Sequence, residues 1–126
     1  MTVRIDTLTF DCADTMGTAR FWADALGFDL DPESEPDGAL IRDPADGSPA
    51  IFFQPVPEPK VAKNRLHIDL RPSVSMAAEV ERLEALGATV QGRVDVEGSF
   101  WTVMQDPEGN ELCVLRGPQD GWAPDA

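Results

Sequence analysis

A formal net charge of −13 over 126 residues, from 23 acidic against 10 basic side chains, repels phosphate backbones and anionic headgroups, which argues against nucleic acid and membrane surfaces as partners. A chain of this length, 42% hydrophobic, suits one domain with one core, and no apolar run reaches bilayer length. Cys12 and Cys113 have neither metal-finger nor redox spacing and read as two buried thiols; with no basic, apolar leader before the first strand, the expected location is the cytoplasm.

Residues 3–11, VRIDTLTFD, alternate as a half-buried strand does, with Val3, Ile5, Thr7, Thr9 and Asp11 on one face and Leu8 and Phe10 on the other. A helix follows, capped by Asp14 or Thr15, with Met16, Ala19, Trp22 and Leu26 as its apolar stripe and Gly27 as its left-handed stop. Three short strands are expected near 28–31, 39–43 and 50–55, divided by DPESEPDG and DPADGSP, both dense in turn formers. A linker at 57–63 carries Lys60 and Lys63, which with Arg65 read as ordinary solvated charges.

Residues 65–71, RLHIDLR, then restart the pattern: Leu66, Ile68 and Leu70 on one face, Arg65, His67, Asp69 and Arg71 on the other. Ser73 or Ser75 caps a second helix with Met76, Val80, Leu83 and Leu86 inward, ending at Gly87 in the same ALG that ends the first helix. Gly27 follows Thr7 by 20 residues and Gly87 follows His67 by 20, so Thr7 and His67 occupy equivalent places in two copies of one unit. Strands near 88–94, 99–105 and 110–116 complete the second copy, and DPEG at 106–109 echoes DPADG at 43–47.

Two βαβββ modules, 3–56 and 64–116, with a tail at 117–126, make an α+β fold, because two helices are too few for a doubly wound sheet. One helix covers one face of each four-stranded sheet. The other face is polar in the first strands of both copies, and polar groups are not buried without partners. The expectation is therefore a polar-lined cup instead of a dry second core.

These residues resemble the vicinal oxygen chelate superfamily, in particular its glyoxalase-like and bleomycin-resistance-like members. The resemblance rests on TLTFDCAD leading into ARFWADALGFDL, on KNRLHIDL, on EVERLEALGATV and on DPEGNELCVL, and it spans about residues 3–116. It implies a half-barrel cup of the glyoxalase/bleomycin-resistance/dioxygenase type in a single domain, often a homodimer. It also implies a divalent metal (Zn, Ni, Fe, Mn or Mg) held by the first and last strands of each module.

Carried onto this chain, the resemblance implies Thr7, then Gln54 or Phe52, then His67, then Glu111 or Cys113 as the ligand positions. The chain departs from that pattern: Thr7 stands where a histidine or glutamine is usual, and Cys113 stands four residues after Gly109 where a glutamate is usual. His67 and Glu111 remain the metal candidates, and Thr7, Gln54, Trp101 and Cys113 the ligand-binding candidates. So sparse a donor set implies no ion or an incompletely coordinated one, since catalytic metal sites generally use three protein ligands. In that case His67 is a hydrogen-bonded residue of the cup, paired with Asp69 or Glu111.

Trp22 reads as core by its helical spacing. Trp101 shares a strand face with Ser99 and Val103, and alternation alone leaves open whether that row or Phe100, Thr102 and Met104 lines the cup. Trp122 lies in a Gly/Pro tail that forms no core alone and docks on the cup mouth or on a dimer partner. No nucleophile motif and no phosphate-cradling glycine loop is present. The expected function is binding of a small organic molecule, with metal-dependent lyase, isomerase or dioxygenase-type activity as one form and metal-free sequestration as the other.

Overall fold

The computed structural model describes residues 2–124, so the last two residues of the expected tail lie outside the described residues. The chain divides into two compact units on either side of the Lys60–Val61 bond. Their elements repeat one order. The first unit holds β1 (Thr7–Cys12), α1 (Thr15–Leu26), β2 (Asp29–Leu30), β3 (Ala39–Arg42) and β4 (Ala50–Pro55). The second holds β5 (Ile68–Leu70), α2 (Met76–Leu86), β6 (Thr89–Val96), β7 (Ser99–Gln105) and β8 (Glu111–Leu115).

In the first unit the sheet order is β1-β4-β3-β2, with β1 and β4 parallel and Thr7 opposite Ala50. The strand reading started this element too early. β4 begins only at Ala50, so Val3 and Ile5 have no strand to pair with and stand 97% and 68% exposed. Asp14 caps α1 by accepting from Gly17 N at 3.0 Å, and Gly27 ends it at φ 70°. The helix face against the sheet is broader than the expected stripe, burying Thr15, Thr18, Ala19, Phe21, Trp22 and Ala23. Phe10 stacks between Trp22 and Phe53, with ring centroids 5.3 and 5.5 Å away, and Ile41 and Ile51 are buried in the same unit.

The second sheet runs β5-β8-β7-β6, again with its first and last strands parallel, and places Ile68 opposite Leu112 and Asp69 opposite Cys113. Ser75 caps α2, accepting from Ala78 N at 3.1 Å, and Gly87 stops it at φ 118°. Of the expected inward stripe, Met76 and Leu83 are buried while Val80 and Leu86 are half-buried. A bulge at Val90/Gly92 shifts the β6–β7 register, and a groove of about 490 Å³ lined by Val80, Glu84 and Val90 runs beside the helix. β5 is also shorter than its alternation suggests: β8 starts at Glu111, so Leu66, without a partner, is 70% exposed and His67 sits just ahead of the strand.

The tail returns to the helix it follows. Asp120, at the end of a single 3₁₀ turn, accepts from Met76 N at 2.7 Å and from Gly117 N at 2.9 Å, so a carboxylate meets the positive start of α2. These two backbone donors hold its carboxyl below the ordinary aspartate range. Trp122 lies over Arg71, with the guanidinium carbon 4.0 Å from the ring, which puts this tryptophan on its own module.

Candidate functional site

Strand alternation in the second module puts Leu112, Val114, Met104 and Thr102 on the buried, α2-facing side. Glu111, Cys113, Val103 and Trp101 therefore belong to the opposite face, which decides the row that alternation left open. His67 and Asp69 lie on that same face, because β5 is parallel to β8 and pairs Asp69 with Cys113. One ligand atom each of His67, Asp69 and Cys113 lies within 4.8 Å of the others. His67 Nε2 is 3.3 Å from Asp69 Oδ1, with side chains 41% and 51% exposed, while Cys113 is buried.

Burial pushes the Cys113 thiol above its ordinary pKa, and the charge of Asp69 and a hydrogen bond to its carboxylate push the same way, against a weaker pull from Lys63. The thiol is thus the resting form and Asp69 is the centre of the cluster, in reach of both neighbours. Glu111 is directed elsewhere: its Oε2 accepts from Asn64 N at 2.9 Å. The turn before it sets that direction. Asp106 accepts from the backbone N–H of Glu108 and of Asn110, each at 2.9 Å, and from the Asn110 amide, which in turn accepts from Asn64 Nδ2 at 3.0 Å.

The repeat allows a comparison inside the chain. The first-module positions matching His67, Asp69 and Cys113 in the pairing pattern are Thr7, Thr9 and Phe52. None of these ligates a divalent ion well, so the donor cluster is a property of the second module alone. Thr7 donates from Oγ1 to Asp6 at 2.7 Å and borders a cavity of about 600 Å³ with Arg4, Asp6 and Arg42. Gln54 donates from Nε2 to Asp11, its partner across the β1–β4 ladder, at 2.8 Å.

Asp69 is the residue that sequence reasoning offered only as a partner for His67 and not as a ligand. Its signal was present, since it alternates with His67 on one strand face, but its pairing with Cys113 depends on a register between segments more than 40 residues apart. A divalent ion fits this donor set. Tetrahedral zinc with one sulfur and two light donors needs donor separations of roughly 3.3–3.6 Å. The His67–Asp69 separation already meets that, and the 4.8 Å limit leaves a side-chain movement of about 1 Å.

The sequence matches the model of the glyoxalase-like domain over residues 7–115. No curated protein matches it. Among solved structures, a glyoxalase/bleomycin resistance/dioxygenase family enzyme from Burkholderia phytofirmans PsJN is 17% identical, with TM-score 0.71, covering 89% of this chain and 97% of that one. A glyoxalase-related enzyme from Fulvimarina pelagi is 14% identical, with TM-score 0.70 and coverages of 93% and 90%. The fosfomycin resistance protein FosX from Mesorhizobium loti is 14% identical, with TM-score 0.68 and coverages of 93% and 94%. Likeness at these identities speaks for the fold alone. With two βαβββ units, the parallel first and last strands of each sheet and the family match across both, the chain belongs to the glyoxalase-like family of the vicinal oxygen chelate superfamily.

Proposed function

We propose that this chain binds a small organic molecule over the polar face of its second sheet, with a divalent ion at His67, Asp69 and Cys113 as the point of chemistry. The observation that carries the reading is the convergence of three chemically distinct donors on the sheet face away from α2. When bound there, such an ion supplies Lewis-acid stabilisation of an enolate-like or oxyanionic state, the basis of lyase, isomerase or dioxygenase-type reactions. Asp69 holds His67 in orientation; in the first module, taken by itself, Gln54 is fixed by Asp11 and offers an amide to a ligand carbonyl. The cavity beside Thr7 is of a size that suits a small organic molecule. From the family likeness we also infer a homodimer, which light scattering on the purified chain tests directly.

A second reading is favoured by Phe52 and Trp101, aromatic side chains on the sheet faces away from the helices. It makes the chain a sequestering protein that binds a planar or apolar molecule unchanged. A panel of oxygen-rich and planar organic compounds, screened by tryptophan fluorescence and then followed by NMR, separates the two. Metal-dependent conversion of a bound compound supports the enzyme, binding without conversion supports sequestration, and no response from a Trp101→Phe-sensitive signal across the panel defeats both.

A further inference from the structure

We propose that Cys113 ligates as a thiolate, which makes this a site for a borderline, thiophilic divalent ion such as zinc and closes it to the hard ions magnesium and manganese. The inference rests on the reading of His67, Asp69 and Cys113 as a metal site and goes beyond it by naming the third donor and the class of ion. Where the superfamily pattern has a carboxylate, this chain presents sulfur, and Glu111, the nearest carboxylate on the same strand face, is bound by Asn64 N.

Three features carry the argument. Asp69 and Cys113 are direct partners in a parallel ladder, so the backbone sets their side chains next to each other. With His67, the pair brings one carboxylate, one imidazole and one sulfur within 4.8 Å. Magnesium and calcium take six or more oxygen donors, whereas zinc and cobalt accept nitrogen, sulfur and oxygen at coordination four. Finally, Thr7, Thr9 and Phe52 occupy the same positions of the first module, so the donor set does not follow from the fold and is particular to the second copy. Three protein ligands leave a fourth position for water or a substrate oxygen, the arrangement of a catalytic ion.

The competing account is an ordinary exposed ion pair beside a structural thiol. Equilibrium dialysis and absorbance spectroscopy of the untagged full-length chain decide between them. The expected result is about one zinc or cobalt per chain, no competition from a large excess of magnesium, and a near-ultraviolet thiolate-to-cobalt charge-transfer band. The near-isosteric Cys113→Ser variant loses that band, and His67→Ala and Asp69→Asn each weaken zinc binding by roughly tenfold or more. Thermal melting of each metal-free variant checks that it is folded. Cobalt bound with an unchanged spectrum in Cys113→Ser overturns the thiolate ligand and leaves the metal site standing. Failure to bind either ion overturns both.

Discussion

Asp69 stands directly across the β5–β8 ladder from Cys113, where its carboxylate favours the neutral thiol. This contact joins a side chain at the start of the second module to one at its end. It sets the protonation of the cysteine as well as its position, and both can be measured.

In chelator-treated protein, Asp69→Asn lowers the pH at which Cys113 becomes alkylated, because it removes a charge and a carboxylate acceptor that favour the neutral thiol. Lys63→Gln moves it upward, by removing the opposing positive charge. Peptide mapping of alkylation against pH reads both, and a midpoint unmoved in Asp69→Asn contradicts the contact. Since the folded thiol's pKa is raised, its contribution to stability is complete below the unfolded value and is lost as pH rises through the folded one. Cys113→Ser therefore shows a shallower loss of stability in alkali than the parent chain.

Asp120 works in the opposite direction. Its folded pKa is lowered, so its stabilisation is present above the unfolded value and disappears as pH falls through the folded one. Asp120→Asn keeps an acceptor but removes the charge at the start of α2, which costs about 0.3–1 kcal/mol at neutral pH, with screening by solvent reducing it. Urea titrations at neutral and strongly acidic pH compare the two, and the difference between variant and parent vanishes in acid. Gly117→Ala disturbs the same tail by another route, since a Cβ there overlaps the Val74 carbonyl oxygen. It is expected to release Trp122 from Arg71, which a change in tryptophan emission reports.

Asn110 is buried in the turn that directs Glu111 and bonds both Asp106 and Asn64 through its side chain. Asn110→Ala removes the side-chain bonds to the buried Asp106 and to Asn64 and costs about 1–3 kcal/mol. Thermal melting measures this. Glu108→Ala, at a half-buried side chain of the same turn whose backbone N–H bond to Asp106 survives the change, serves as the milder comparison.

Trp22 is fully buried against Phe10 and Phe21, so Trp22→Ala opens a large cavity and costs about 3–5 kcal/mol. Val61→Ala, at a side chain 90% exposed, shifts stability by no more than about 0.5 kcal/mol. Chemical denaturation of the two variants gives the contrast.

The helix ends at Gly27 and Gly87, the caps narrowed to Asp14 or Thr15 and to Ser73 or Ser75, the 20-residue interval that equates Thr7 with His67, and the alternation along β7 were all legible in the chain itself. Each depends on the φ/ψ preference, short side-chain reach or periodicity of a few neighbouring residues. Strand lengths at the module starts were not legible, because Leu66 and Ile5 alternate correctly but extend past the ends of β8 and β4, and only a partner strand makes an alternating segment a ladder. The site divides along the same line. His67 was visible as the lone histidine of the sequence, on a polar face. That Asp69 and Cys113 complete it, and that Glu111 instead turns to Asn64, follows from a parallel register and a buried turn joining residues far apart in the chain, which no local pattern encodes.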